Sequence, residues 1–426
     1  MLSSPDNELL TRVVGTPMGD VMRGYWLPVH MSADVQAGGA PLRTRVLGEN
    51  LVVFRGSDGE VGVLDESCPH RGASLALARN EDCALQCLYH GWRINKSGTV
   101  VDTPSEPGDS TFKTRIKHIA YPTREAGGII WSYLGPVDEM PEFPYFEFAS
   151  RPAAQSCTIR LLQRCNWAQA LEGVLDSAHV NYLHNDYPAR LAHGGDPFTG
   201  GGASLLTQIK TDGHPRLEVE NTPYGFRYAA IRNAHRHGER VRYVRTSHFV
   251  APFWGLIPTR PGWLFQQGFV PVDDEHTMFY LVHYRRGDPI GEGEATAIRE
   301  WTGLTPVAGD YSLSERSRAN NWGQDRAAMT NGTSYTGLFG FAAAEDVTIQ
   351  ESMGPIYDRT REHLGTSDVA VIRMRRLMIK AARERVASLA LRGGFDYEDL
   401  KAQEAIIGWD DPWTSVGQWQ HASQPL

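Results

Sequence analysis

A chain of 426 residues is long enough for two or three domains around a sizeable core, and its 41% hydrophobic and 22% charged residues are ordinary for a globular protein. The net charge of −8 argues against nucleic acid or an anionic membrane as a partner, and no apolar run approaches the ~20 residues of a membrane span. MLSSPDNELLTR lacks the basic and apolar regions of a secretion signal, so the five cysteines are expected to be reduced thiols in a cytoplasmic protein.

Residues 1–40 read as a helical extension, in which VMRGYWLPVH suggests a helix that stops before Pro28. From about Pro41 the pattern becomes strand-like and rich in turns, and residues 41–150 are expected to form a small antiparallel β domain. In LVVFRGSDGEVGVLDESC two β-branched runs flank Ser57-Asp58-Gly59, a hairpin signal. GWRINKSGTVV repeats it across Lys96-Ser97-Gly98.

This stretch holds two short pairs, Cys68-Pro-His70 and Cys87-Leu-Tyr-His90. Two thiolates and two imidazoles would suit zinc, or a [2Fe–2S] cluster with the cysteines on one iron and the histidines on the other. The spacing favours the cluster. Zinc ribbons usually pair like with like, whereas here each loop can give a ligand to each iron. Gly72 and Gly91 can take positive φ and fold the loops, expected at hairpin tips, over the cluster. Cys83, Cys157 and Cys165 are then left as buried small apolar residues.

CPHRGASL and CLYHGW resemble the Rieske motif of the ring-hydroxylating non-haem iron oxygenases. A likeness to the phthalate dioxygenase branch runs from DNELLTRVVGTPMGDVMRGYWLP to the segment after residue 340. The resemblance implies a terminal oxygenase of α+β class, with an N-terminal antiparallel β Rieske domain and a C-terminal α+β catalytic domain. It also implies a mononuclear Fe(II), O2 as cosubstrate, and a homotrimer or dimer of trimers. NADH would act only through a separate reductase, in keeping with the lack of a G-x-G-x-x-G fingerprint in this chain.

Beyond the proline-rich PVDEMPEFPYFEF, which reads as a linker, residues 151–426 are expected to form the catalytic domain, with strands between residues 205 and 285 and helices after 355. It opens with Asp176-Ser177-Ala-His179 and His184. Asp176 and His179 would share a helix face. His179 and His184 lie about 140° apart on an ideal helix, so a break or π-bulge would be needed for both to ligate one ion. Two imidazoles and one carboxylate make the facial triad of a non-haem Fe(II) oxygenase. The resemblance puts the carboxylate at Asp346, with Glu345 and Glu351 as rivals. It also gives Asp176 a bridging role, bonding His179 and the cluster ligand His90 of a neighbouring subunit. Glu172, one turn earlier, is expected to face the iron.

The branch mostly handles aromatic carboxylates, which call for an arginine in an apolar pocket. Alternation puts Arg245 on one face with Tyr243, Ser247 and Phe249, and Arg242 towards solvent with Arg240 and His248. Arg216 alternates with Glu218 and Glu220, which suits a salt bridge, yet relatives use an arginine near this point. The order of preference is Arg245, then Arg216, with Ser177 as a further donor. DRTREHLGTSDVAVIRMRRLMIKAARERVA has the apolar rhythm of a packed helix, with a C-cap at Gly365 followed by a new N-cap at Thr366-Ser367-Asp368, and Arg373, Arg375 and Arg376 read as a solvated basic face, with docking of an acidic reductase as the alternative. The expected reaction is cis-dihydroxylation of an aromatic acid such as phthalate or a chlorobenzoate. The alternative is a monooxygenase or O-demethylase acting on a methoxy- or phenoxybenzoate. A bare electron carrier would not need the second metal motif.

Overall fold

The computed structural model describes residues 1–186, 206–259, 262–303, 316–338, 342–385 and 396–416. The N-terminal extension is helical only in part. Helices α1 (Ser4–Thr11) and α2 (Pro17–Arg23) each start with a proline in the first turn, behind a capping hydroxyl from Ser3 or Thr16. The helix expected to run up to Pro28 stops at Arg23, and Trp26–Met31 is strand β1 instead. Pro28 is tolerated there because β1 is an edge strand whose register slips between Pro28 and His30.

Two four-stranded antiparallel sheets follow. One has the order β2-β3-β4-β9, from Leu42–Val46, Glu49–Arg55, Val61–Asp65 and Ala120–Tyr121. The other has the order β5-β6-β7-β8, from Arg79–Glu81, Ala84–Gln86, Arg93–Asn95 and Val100–Asp102. Both expected hairpins are present, with Gly59 and Gly98 at positive φ in their turns. β10 (Thr123–Ala126) and β11 (Ile129–Tyr133) join β1 in a third sheet.

The proline-rich segment runs without strand or α-helix between the two parts, and its aromatic side chains are anchored. Phe143, Phe146 and Phe148 are buried and pack against Trp131 and Trp254, so aromatic side chains tie the N-terminal sheets to the rest. One continuous core runs from Leu10 in α1 to Leu400.

The C-terminal part is built on an eight-stranded antiparallel sheet, ordered β12-β18-β17-β16-β15-β14-β13 with β19 beside β15. Its strands are β12 (Ser156–Gln163), β13 (Arg216–Thr222), β14 (Gly225–Arg236), β15 (Glu239–Val250), β16 (Trp254–Leu256), β17 (Trp263–Pro271), β18 (Thr277–Arg285) and β19 (Gln403–Gly408). Helix α3 (Trp167–Leu175) lies on this sheet. A Cβ at Gly255 would sit 2.5 Å from Val174, so the close approach depends on that glycine. Further helices are α4 (Glu292–Thr302), α5 (Arg326–Thr330), α6 (Ala342–Ser352) and α7 (Val369–Glu384).

The new helix start expected at Thr366-Ser367-Asp368 is present, with Asp368 as N-cap of the helix from Val369, but the helical stretch expected before Gly365 is absent. Asp358–Gly365 is irregular. There Arg359 is fully buried against Glu172, and the Gly365 N–H donates to Asp368 at 2.6 Å instead of continuing a helix. The final residues of the expected helix, Val386 and Ala387, lie outside the described residues. Arg375 is no part of a solvated basic face; it is buried between Glu172 and Glu362. The even-numbered face of β15 meets solvent only at its start, where Arg240 is exposed and Arg242 half-buried; from Val244 on it is buried. Arg240 and Arg242 stack on Trp409, and His248 is buried against the Tyr224 hydroxyl and Lys401 O.

Candidate metal centres

The two Cys-His loops share one construction. Gly72 N donates to Cys68 O at 2.9 Å and Cys68 N to Ala73 O at 2.8 Å. Gly91 N donates to Cys87 O at 3.0 Å and Cys87 N to Trp92 O at 2.8 Å. Each loop closes through a glycine at φ +73° or +75°, which L side chains rarely adopt. The second loop caps the β6–β7 hairpin, as expected. The first is closed by a single antiparallel bridge, Ser67 to Ser74, on the crossing from β4 in one sheet to β5 in the other. The loops bring Cys68, His70, Cys87 and His90 together.

The two thiols are buried, and the imidazole centroids lie 4.3 Å apart. His70 stacks on Trp92 at 4.6 Å, and its buried Nδ1 has no hydrogen-bond partner among the described residues. Burial, with the Cys87 thiol beside it, raises the Cys68 thiol to about 11, so metal binding here releases protons. A buried, unpartnered imidazole nitrogen beside two thiols fits a [2Fe–2S] cluster bound by two sulfurs and two nitrogens. Cys83 stays outside this set. It is only half-buried, contrary to the expectation of a buried apolar residue, and its Sγ lies 3.4 Å from Ser57 Oγ.

The second centre forms where α3 ends. Asp176 is the C-cap in extended conformation, so it does not share a helix face with His179. The chain then makes a 3-10 turn over His179–Asn181, and further turns deliver His184. No π-bulge is needed because the helix has already stopped. His179 Nε2 and His184 Nε2 approach to 3.2 Å, and Asp346 Oδ1, from α6, lies 3.4 and 3.2 Å from them. The three ligand atoms converge as a metal site requires.

Each imidazole has a carboxylate at its far nitrogen. Asp176 Oδ2 lies 3.5 Å from His179 Nδ1, while its Oδ1 accepts from Ala178 N at 2.7 Å. His184 Nδ1 donates to Glu345 Oε2 at 2.8 Å, and Thr336 donates its hydroxyl to Glu345 Oε1 at 2.8 Å. Both rings are held with Nδ1 as donor and Nε2 turned inward. Burial opposes protonation of His179, but Asp176 and Asp346 outweigh it and raise the imidazole to about 10. Despite its own burial, Asp346 is driven far below the usual carboxylate range by His184 and His179.

Sequence reasoning missed the role of Glu345; the available signal was an acid adjacent to the assigned ligand. The other rival, Glu351, accepts from Arg164 N at 2.8 Å and Trp322 Nε1 at 2.9 Å, away from the triad. Glu172 does not face the site. Its carboxylate is bidentate to Arg359 and also takes Arg375 at 2.8 Å.

The triad opens onto a cavity of about 140 Å³ whose walls include Asp176, Ser177, Arg245, Ser247 and Gln267. Arg245 is 7% exposed; its Nη2 donates to Pro258 O at 3.0 Å and its Nη1 lies 3.6 Å from Glu404. Ser177 is held by its carbonyl, which accepts from the fully buried Arg232 at 2.8 Å. Arg216 is elsewhere. Its side chain is 62% exposed on the edge strand β13 and pairs with Glu218 at 2.7 Å.

Residues 25–118 match the family model for the Rieske [2Fe-2S] domain, and residues 132–424 match the model described as LigXa C-terminal domain like. The chain is 43% identical over 392 residues to the phthalate 4,5-dioxygenase oxygenase subunit of Pseudomonas putida, covering 89% of this chain and 86% of that protein. This chain belongs to the Rieske non-haem iron oxygenases. It is 35% identical to the 3-chlorobenzoate-3,4-dioxygenase oxygenase subunit of Comamonas testosteroni, covering 94% and 93% of the two chains. The terminal oxygenase of carbazole 1,9a-dioxygenase from Novosphingobium sp. KA1 shares its fold at a TM-score of 0.57 and 21% identity, over 89% of this chain and 99% of that one. This Rieske oxygenase is therefore an oxidoreductase whose cofactors are a Rieske [2Fe–2S] cluster and a mononuclear non-haem iron. Among the described residues, no helix is long and apolar enough to cross a membrane.

Proposed function

We propose that this protein is the terminal oxygenase component of an aromatic-acid dioxygenase, which uses O2 and electrons from NADH, relayed by a separate reductase, to cis-dihydroxylate an aromatic carboxylate such as phthalate or a chlorobenzoate. Residues 41–150 would carry the cluster on Cys68, His70, Cys87 and His90. Residues 151–426 would carry the iron on His179, His184 and Asp346. When bound, the two groups supply single electrons and O2 activation. The observation that carries the substrate class is a guanidinium, Arg245, in the wall of the same cavity as the triad. A buried arginine can hold a carboxylate through charge-assisted hydrogen bonds, and Ser177 lines the same cavity as a second donor.

The protein's own residues position the substrate and hold protons at the Nδ1 atoms of both histidines through Asp176 and Glu345. Asp176 remains partly exposed, which suits a second bond to His90 of a neighbouring copy in a ring-shaped trimer.

The test is product mass under ¹⁸O2 with an NADH-driven reductase and a panel of phthalate, isophthalate, 3-chlorobenzoate, 4-phenoxybenzoate and vanillate. Two labelled oxygens in a dihydrodiol are expected, with a raised KM for every acid in Arg245→Gln. One labelled oxygen, or formaldehyde from vanillate, would move the protein to the monooxygenase and O-demethylase reading.

A further inference from the structure

Arg232, on β14, is a costly side chain close to the triad. It is fully buried, yet its Nε and Nη1 meet no acceptor among the described residues. No carboxylate among those residues forms an ion pair with it. Its guanidinium keeps one hydrogen bond, from Nη2 to Ser177 O at 2.8 Å. Arginine stays charged, and burying a charge without a counter-ion costs far more than one charge-assisted hydrogen bond returns. Such a group lowers the stability of the fold, so its place beside the site calls for a function.

The one bond that Arg232 makes holds the turn between α3 and the iron ligands. Ser177 stands between Asp176, which lies behind His179, and His179 itself. Asp176 N still donates to Glu172 O at 3.1 Å, and Asn181 N to Ala178 O at 3.3 Å. Among the described residues no backbone N–H donates to Ser177 O, so the side chain of Arg232 is its donor.

Three side-chain bonds tie this stretch down. Tyr228 donates its hydroxyl to Val174 O at 3.3 Å, Arg232 donates to Ser177 O, and Asn181 Nδ2 donates to Ile209 O at 3.0 Å. Tyr228 and Arg232 are four apart on β14 and so face the same side of the sheet. The first bond ends before Asp176 and the third acts beyond His179. Arg232 is therefore the link that fixes the backbone between the aspartate and the imidazole it orients. Without it the Ser177 peptide is free to rotate. That rotation would disturb the bond from Ala178 N to Asp176 Oδ1 at 2.7 Å and the approach of His179 Nε2 to Asp346 at 3.4 Å.

We infer that Arg232 is a positioning residue for the iron site, whose single hydrogen bond to Ser177 O fixes the turn carrying Asp176 and His179 at a cost in stability. This rests on His179 as an iron ligand.

The test is anaerobic Fe(II) titration of iron-depleted oxygenase that keeps its Rieske cluster. Urea unfolding is followed on the same iron-free protein, because bound metal itself adds stability. Arg232→Met keeps the bulk and removes both charge and donor. It is expected to bind Fe(II) about tenfold more weakly, the low end of the loss for groups behind a metal ligand. Its Rieske absorption should be unchanged and its unfolding midpoint raised. Arg232→Lys keeps a charge and a donor, and should recover most of the affinity without the gain in midpoint. A merely structural arginine would not move affinity and stability in opposite directions. Unchanged Fe(II) affinity in Arg232→Met overturns the proposal. So does an Arg232→Met protein that is destabilised or fails to fold, or an Arg232→Lys protein that binds Fe(II) no better than Arg232→Met. His179→Ala separates the two readings. Retained Fe(II) binding in that variant would remove the ligand assignment, whereas lost binding there with wild-type binding in Arg232→Met would remove only the role of Arg232.

Discussion

His184 donates its Nδ1 proton to Glu345 at 2.8 Å, while Asp346, the next residue, faces the Nε2 of the same ring at 3.2 Å. One helix thus brings two adjacent acids to opposite sides of one imidazole, the inner as a candidate ligand and the outer as the group that fixes its tautomer.

The pair can be separated by mutation. Asp346→Ala should abolish mononuclear iron and leave the Rieske absorption intact. Glu345→Ala should weaken iron binding by about 10–100-fold, the usual effect of losing a carboxylate behind a ligating histidine. Glu345→Gln should recover much of the loss, because the amide oxygen can still accept from Nδ1–H. Iron content set against cluster absorbance checks all three, and loss of the cluster in Asp346→Ala would contradict two independent centres.

Asp176 tests the link between subunits. Asp176→Asn should retain both metals, since the aspartate sits behind His179 and not within the triad. It should slow cluster oxidation in single-turnover mixing with O2 and substrate, and near-normal turnover would remove the bridging role.

Glu172 supports the site from below. Its burial opposes ionisation, yet Arg359 and Arg375 hold its carboxyl below the usual range. A carboxylate with a lowered folded-state pKa stabilises the fold above its unfolded value of about 4.3 and loses that contribution as pH falls through the folded value. Removing one partner of a buried ion pair costs about 3–5 kcal/mol, so Glu172→Gln should lower the denaturant midpoint at pH 7. The gap from wild type should narrow below about pH 4. A gap independent of pH would show that lost packing, not charge, is responsible.

Cys83 lies close in sequence to a cluster ligand but faces Ser57. Cys83→Ser should therefore leave cluster content and Rieske absorption unchanged and alter stability by no more than about 0.5 kcal/mol, as for other partly exposed positions without special roles. A bleached protein would place Cys83 in the cluster site.

The amino-acid sequence by itself determined what is local. The cluster ligands sit in two short loops, each closed by its own glycine turn and its own backbone hydrogen bonds, so motif and geometry coincide. The β3–β4 and β7–β8 hairpins follow equally from turn residues between β-branched runs. Tertiary structure decided everything that depends on how one element turns against another. Neighbouring residues on a helix point about 100° apart, so packing alone settles which acid of α6 meets the imidazoles and which lies behind one of them. The five-residue spacing of His179 and His184 became workable only because α3 stops at Asp176 and the chain continues in turns. Side-chain parity put Arg245 on an apolar face, but only the strand order made β15 a cavity wall and left Arg216 on an exposed edge.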